Sequence, residues 1–150
     1  DRLGKLYIFG NGPLNEKLNG MAKEFKNIIL MGLSSRDVID QYYIKSHLLV
    51  LPSKSEGFPK VIAEAGLYGC VPITTSLDGI KSIIKHKHNG LLLNNNDISN
   101  DFYRMMNNIF DDSYNLELIA INLRTELYNF TYEKFSNSIL EISRFHNHDN

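Results

Sequence analysis

The chain has 150 residues, 43% of them hydrophobic, and a formal net charge of −1. That suits one domain with a real core, which excludes wholesale disorder, and the total shows no basic excess of the kind a nucleic-acid module carries. Its one cysteine, Cys70, excludes an internal disulfide and a cysteine-rich metal site, and fits a reducing, cytoplasmic setting.

No apolar run approaches the ~20 residues that span a bilayer, and a basic-then-apolar leader is not seen. Peripheral contact with the inner face of a membrane, through a further domain, stays open. The chain runs almost at once into a strand pattern, which points to a piece of a longer polypeptide.

Taken in order, "KLYIFG" (residues 5–10) is aromatic and β-branched and is bounded by "GNGP", so it predicts a buried strand. Pro13 fits the first turn of a helix over 14–25, where Leu14, Leu18, Met21, Ala22 and Phe25 recur at helical spacing. "NIILMG" (27–32) predicts a second strand. "SSRDVIDQYYIKS" predicts a helix capped by Ser34 or Ser35, and "HLLVLP" (47–52) a third strand. A short helix over 59–68 with Gly69 at its exit precedes a fourth strand, "VPITTS". "DGIKSIIKHK" predicts a short helix and "GLLLN" a fifth strand. The polar turn "NNNDISN" then leads to helical "FYRMMNNIF" and to two further helices over 113–127 and 132–145.

Apolar strands alternating with helices imply parallel βαβ units: an α/β fold, a Rossmann-like parallel sheet with helices on both faces. Ligands of such sheets sit beyond the carboxyl ends of the strands. Three loops qualify: 10–13, 52–59 and 76–79.

The second loop carries the most chemistry. "SEGFPK" leaves a buried strand and enters a helix whose first residue is predicted to be Pro59, which needs no N–H there. The amides of Lys60, Val61 and Ile62 then lack intrahelical partners, and the helix dipole adds positive potential. Such a tip suits a phosphate group, and Lys60 adds a charge unless it faces solvent. Glu56 would repel a diphosphate and so should turn to a neutral polyol, since a carboxylate takes hydroxyl hydrogen bonds well. Glu64, one turn further on, suits the diol of a ribose. Together these parts describe a nucleotide sugar. A random pair of glutamates is far more often solvated surface; the strand–loop–helix context is what raises this pair above that.

The segment "LPSKSEGFPKVIAEAGLYGCVPITT" closely resembles the signature of family 4 retaining glycosyltransferases, which use the two-domain GT-B architecture. The likeness extends from "LYIFGNGP" through "NIILMGL" and "VPITTSLDGI" to "NGLLL" and corresponds to the C-terminal, donor-binding half, with its first βα unit missing and the acceptor domain absent. It implies that Glu56 contacts the transferred sugar and stabilises a cationic transition state. Gly57, Phe58, Lys60 and Val61 would surround sugar and diphosphate, and Glu64 would bind ribose. Gly10, Gly12 and Pro13 would shape a wall of the donor cleft; Met31, Gly32 and Leu33 would lie near the base. The implied reaction moves a hexose from a nucleoside-diphosphate sugar to an acceptor hydroxyl with retention, needing no metal and no further cofactor. The implied partners are the nucleotide sugar and, through the absent domain, an acceptor glycan or lipid-linked saccharide, as in surface polysaccharide assembly.

Two features depart from the family pattern. Where it has Gly-Gly-x-x-Glu, this chain has "LDGIKS", with Asp78 for the first glycine and Ser82 for the acid. The missing first strand is central in the usual 3-2-1-4-5-6 order, so "LYIFG" and "HLLVLP" must pair directly or recruit another strand. Two other readings stand beside the leading one: a catalytically degenerate nucleotide-sugar-binding or interaction module, and an NAD-type domain, disfavoured because no acid ends "NIILMG". "GNGP" also reads as a plain turn. His86 and His88 in "HKH" read as polar surface rather than metal ligands. Cys70 reads as a small buried residue at a strand entrance, and Tyr42 and Tyr43 as packing residues.

Overall fold

The structure, a computed structural model, describes residues 4–56 and 59–129. The helix expected over 132–145 lies outside them. Five strands and six helices alternate along the described chain. They fall into two compact units, one ending at Tyr42 and the other starting at Tyr43.

In the first unit, β1 (Leu6–Phe9) and β2 (Ile28–Gly32) pair in parallel around α1 (Asn15–Glu24), with the register shifting between Ile8 and Phe9. Helix α2 (Arg36–Lys45) follows β2. Its Tyr42 ring meets Tyr7 and Phe9 edge-on, at centroid distances of 4.6 and 5.3 Å. Aromatic pairs at this spacing add to simple area burial. Both strands are no more than half-buried, and neither α1 nor α2 holds a buried residue.

The second unit holds the described core. Strand β4 (Val71–Thr75) lies between β3 (Leu48–Leu51) and β5 (Leu91–Leu93), all parallel, with Leu48 opposite Val71 and Ile73 opposite Leu91. Alternation along these strands divides two apolar layers, as the period of two requires. Leu48, Val50, Val71, Ile73, Leu91 and Leu93 meet α5 (Ile98–Phe110) and the start of α6 (Leu116–Asn129). Leu49, Leu51 and Leu92 meet α3 (Lys60–Leu67), α4 (Asp78–Lys81) and the later part of α6 through Ile62, Ile80, Leu123 and Leu127. Helices thus cover both faces of this sheet.

The strands form a two-stranded sheet, β1–β2, and a three-stranded sheet, β3–β4–β5. Two expectations are corrected. The helix expected over "DGIKSIIKHK" stops at Lys81, because Ser82 Oγ donates back to Gly79 O and the buried Asn89 takes the Lys85 amide on Oδ1. Pro59 precedes α3 as its N-cap, with extended φ −74° and ψ 106°, rather than being its first residue.

The remaining side chains settle as core or scaffold. Cys70 is fully buried just before β4, with Sγ 3.3 Å from the carbonyl oxygens of Tyr43 and Ser46; burial pushes its thiol pKa up. Tyr43 stacks on Tyr68 at 5.9 Å. Among the described residues no three His, Cys, Asp or Glu side chains converge as metal ligands, and no helix is long and apolar enough to cross a membrane.

Candidate functional site

The corner between β3 and α3 is built by a short strand of four leucine and valine residues that ends at Leu51 and releases Pro52. Three residues of loop later, Glu56 is half-buried and its Oε1 accepts a hydrogen bond from Ser53 Oγ at 2.8 Å. Ser53 is itself held. Thr75, at the buried carboxyl end of β4, donates its hydroxyl to the Ser53 carbonyl oxygen at 2.5 Å. A core hydroxyl therefore fixes a loop backbone, and that loop's own hydroxyl fixes the carboxylate. Neither link needs a long flexible side chain, so the carboxylate is oriented at small entropic cost.

Beyond the corner, buried Pro59 starts α3. The expected set of three open amides is reduced to two, since Ile62 N–H donates to Pro59 O at 3.0 Å. The amides of Lys60 and Val61 find no acceptor among the described residues. They sit where the helix dipole is positive, and no acidic side chain occupies the first turn to compete for them. Lys60 is exposed and Glu64 is half-buried in the second turn. Gly57 and Phe58 lie outside the described residues.

The first unit carries the other six expected positions. Gly10 and Gly32, at the carboxyl ends of β1 and β2, are joined by a hydrogen bond from Gly10 N to Gly32 O of 2.8 Å. Their φ angles are +117° and +62°, a region that side chains with a Cβ enter at a cost, so glycine is the natural residue at both. Gly12 and Pro13 are exposed in the turn before α1, where Gly12 O takes the Asn15 amide at 3.0 Å and Asn15 Nδ2 donates to Asn11 Oδ1. Met31 is half-buried, and Leu33 is 81% exposed.

The departure "LDGIKS" forms the first turn of α4. Asp78 is exposed and pairs with Lys81 at 2.7 Å, and that contact holds its carboxyl below the usual range. Ser82 spends its hydroxyl on Gly79 O at 2.8 Å. Neither side chain supplies the acid that the family pattern places here.

Ser53 and Thr75 are the residues that sequence reasoning missed. Ser53 lies inside the quoted signature, yet a serine next to a proline reads as turn material. Thr75 acts across 22 positions, and no local pattern reveals such a contact.

Residues 2–112 match the family model for group 1 glycosyl transferases. A glycosyltransferase of Haemophilus influenzae, described as uncharacterized, is 33% identical over 96 residues, covering 62% of this chain and 27% of its own length. The Escherichia coli UDP-Gal:alpha-D-GlcNAc-diphosphoundecaprenol alpha-1,3-galactosyltransferase is 31% identical over 104 residues, covering 69% of this chain and 26% of its own length. The chain thus spans about a quarter of these relatives. Among solved structures, Anabaena Alr3699/HepE in complex with UDP-glucose aligns with a TM-score of 0.76 at 20% identity, over 93% of this chain and 40% of that one. The lipopolysaccharide outer core galactosyltransferase WaaB aligns with a TM-score of 0.71 at 28% identity, over 91% of this chain and 40% of its own. With its parallel α/β fold matching the C-terminal part of GT-B glycosyltransferases, and with a family match over most of its length, this chain belongs to the group 1 glycosyl transferases.

Proposed function

We propose that the chain is the donor-binding part of a retaining glycosyltransferase that moves a hexose from a nucleoside-diphosphate sugar to an acceptor hydroxyl. The observation that carries this is the β3–α3 corner: at a helix N-terminus, the amides of Lys60 and Val61 have no acceptor among the described residues, four and five positions past a carboxylate held by Ser53. The amides and the helix dipole would take the diphosphate and stabilise it as it leaves. Glu56, oriented by Ser53, would accept hydroxyl hydrogen bonds from the hexose and face the positive charge that develops at its anomeric carbon. Glu64 would take the ribose diol. The acceptor and its activation belong to a further domain, so transfer needs the longer protein, in surface polysaccharide or glycan assembly.

UDP and UDP-hexoses are the first probes, because the E. coli relative is named for a UDP-galactose donor and the Anabaena protein was solved with UDP-glucose. In a ¹⁵N NMR titration of the chain, UDP should shift the amides of Lys60 and Val61. Glu64→Ala should weaken that response about tenfold, the scale of a lost hydrogen bond to a charged group. Shifts that spare this corner, or an unchanged affinity in Glu64→Ala, would remove the reading.

A second reading, a degenerate binding module, draws on Asp78 and Ser82, whose polar groups are engaged within α4. It predicts that the longer protein binds UDP-hexose yet neither transfers nor hydrolyses it.

A further inference from the structure

The asparagine run that follows β5 has no part in the corner just described, yet it lines an open cleft of about 630 Å³. That volume lies within the ~300–1,000 Å³ of small-molecule sites. The cleft sits at the carboxyl ends of β4 and β5, where it is bounded by Ser76 and Asn94–Asn96, with α5 and Tyr114 on its other side. Its lining is mixed: asparagine amides, Asp101 and Arg104 stand beside Leu92, Leu93 and Met105.

Its polar rim is prearranged. The Asn95 side chain exchanges both its hydrogen bonds with Ser76: Oδ1 accepts from Ser76 N at 2.9 Å and Nδ2 donates to Ser76 O at 2.8 Å. Asn94 N donates to Asp101 Oδ2 at 2.8 Å, and Asn94 Oδ1 accepts from Asn96 N at 3.0 Å. These bonds fix the loop and leave the exposed Asn96 side-chain amide without a partner among the described residues. Across the cleft, Asn108 Nδ2 donates to Tyr114 Oη at 3.2 Å, and Lys87 Nζ lies 5.3 Å from the centroid of that ring.

The charge is balanced. Arg104 pairs with Asp101 at 3.3 Å and Lys81 with Asp78 at 2.7 Å, so both cations are already matched. The Asp101 carboxylate would repel a phosphate group. A neutral ligand rich in hydroxyls fits this lining better, since amides and carboxylates both satisfy vicinal hydroxyls.

We propose that the cleft between the β5 carboxyl end and α5 is a saccharide-binding subsite, separate from the diphosphate corner and independent of nucleotide. It rests on the cleft's own geometry and not on the function proposed above. The test is a ¹⁵N NMR titration of the full chain with lactose and with maltose, up to tens of millimolar, which exceeds a millimolar Kd. The expected result is saturable shifts at Asn94, Asn95, Asn96 and Asp101 that persist when UDP is also present. Asn96→Ala, a change in an exposed loop that leaves the fold intact, should weaken binding about fivefold, the scale of one hydrogen bond. Tyr114→Phe should bind as the parent does. No shift at these residues with either disaccharide would overturn the proposal. So would shifts confined to 60–64, or an equal response to inorganic phosphate, which would make the cleft an anion site. UDP alone reports on the corner at Lys60 and Val61, so failure there leaves the cleft's result readable.

Discussion

A hydroxyl three residues before Glu56 decides where that carboxylate points, and a hydroxyl at the end of β4 decides where the first one stands. If Glu56 serves the sugar and the amides of Lys60 and Val61 serve the diphosphate, Ser53 should act on one part of the donor only. Ser53→Ala is expected to lower affinity for UDP-hexose about five- to tenfold while leaving UDP affinity unchanged, and Ser53→Thr should restore most of it. Calorimetric titration of both ligands against both variants checks this; an equal loss for UDP and UDP-hexose would mean that Ser53 merely supports the loop. The place of Glu56, a carboxylate in a loop beside a helix tip, was legible from residue types and spacing alone. The Thr75 hydroxyl that holds the Ser53 carbonyl was not, because the two meet only once β3 and β4 have paired.

At the scale of elements, the packing of α3 on α6 sets the corner in place. A Cβ at Gly66 would stand 2.7 Å from Leu123 Cδ2 and 2.8 Å from Leu127 Cδ1, closer than side-chain atoms pack. Gly66→Val is therefore expected to destabilise the chain by about 1–3 kcal/mol, the cost of overpacking a core. Leu123→Ala, at a fully buried position, should cost about 2–5 kcal/mol by leaving a cavity. Urea unfolding followed by circular dichroism measures both, and a change below about 0.5 kcal/mol in either would contradict the packing. Helix α4 shows the limit of local reading. "DGIKSIIKHK" has helical composition, but buried Asn89 draws the chain away. Its Oδ1 takes Lys85 N at 2.6 Å, and its Nδ2 donates to Ile83 O at 2.8 Å and to Glu126 of α6. The two histidines read as plain surface also have structural partners. His86 Nδ1 accepts from Leu92 N at 3.0 Å, and His88 Nε2 lies 3.1 Å from Glu126 Oε1.

These contacts give the whole molecule a pH dependence. Burial pushes the Glu126 carboxyl pKa up, but the hydrogen bonds and charge of Lys85, with His88 and Asn89, outweigh it and hold the group below its usual range. Burial, with Lys87 beside it, holds the His86 imidazole pKa below its usual value against the opposing charge of Asp101. Both folded values are depressed, so both contributions are complete above the unfolded pKa and fade as pH falls through the folded one. Stability should therefore be highest above about pH 6.5, decline below it as His86 is forced to charge, and decline further below about pH 4.3 as Glu126 protonates. Melting temperatures measured across this range check the two stages. Glu126→Gln should flatten the acid stage alone, and His86→Asn the upper one.

What the chain determined by itself was the kind and order of its elements. Apolar runs of strand length, helical spacing and glycine punctuation are local properties, and the strands stand where "LYIFG", "NIILMG", "HLLVLP", "VPITTS" and "GLLLN" put them. The helix tip at Lys60 was equally local, since any helix start leaves amides open. Tertiary structure alone decided which strands share a sheet, that the Thr75 hydroxyl holds the Ser53 carbonyl across 22 positions, and that Asn89 meets Glu126 of α6. Backbone preference acts over a few residues, whereas these outcomes depend on groups far apart in sequence that become neighbours only when the apolar layers close.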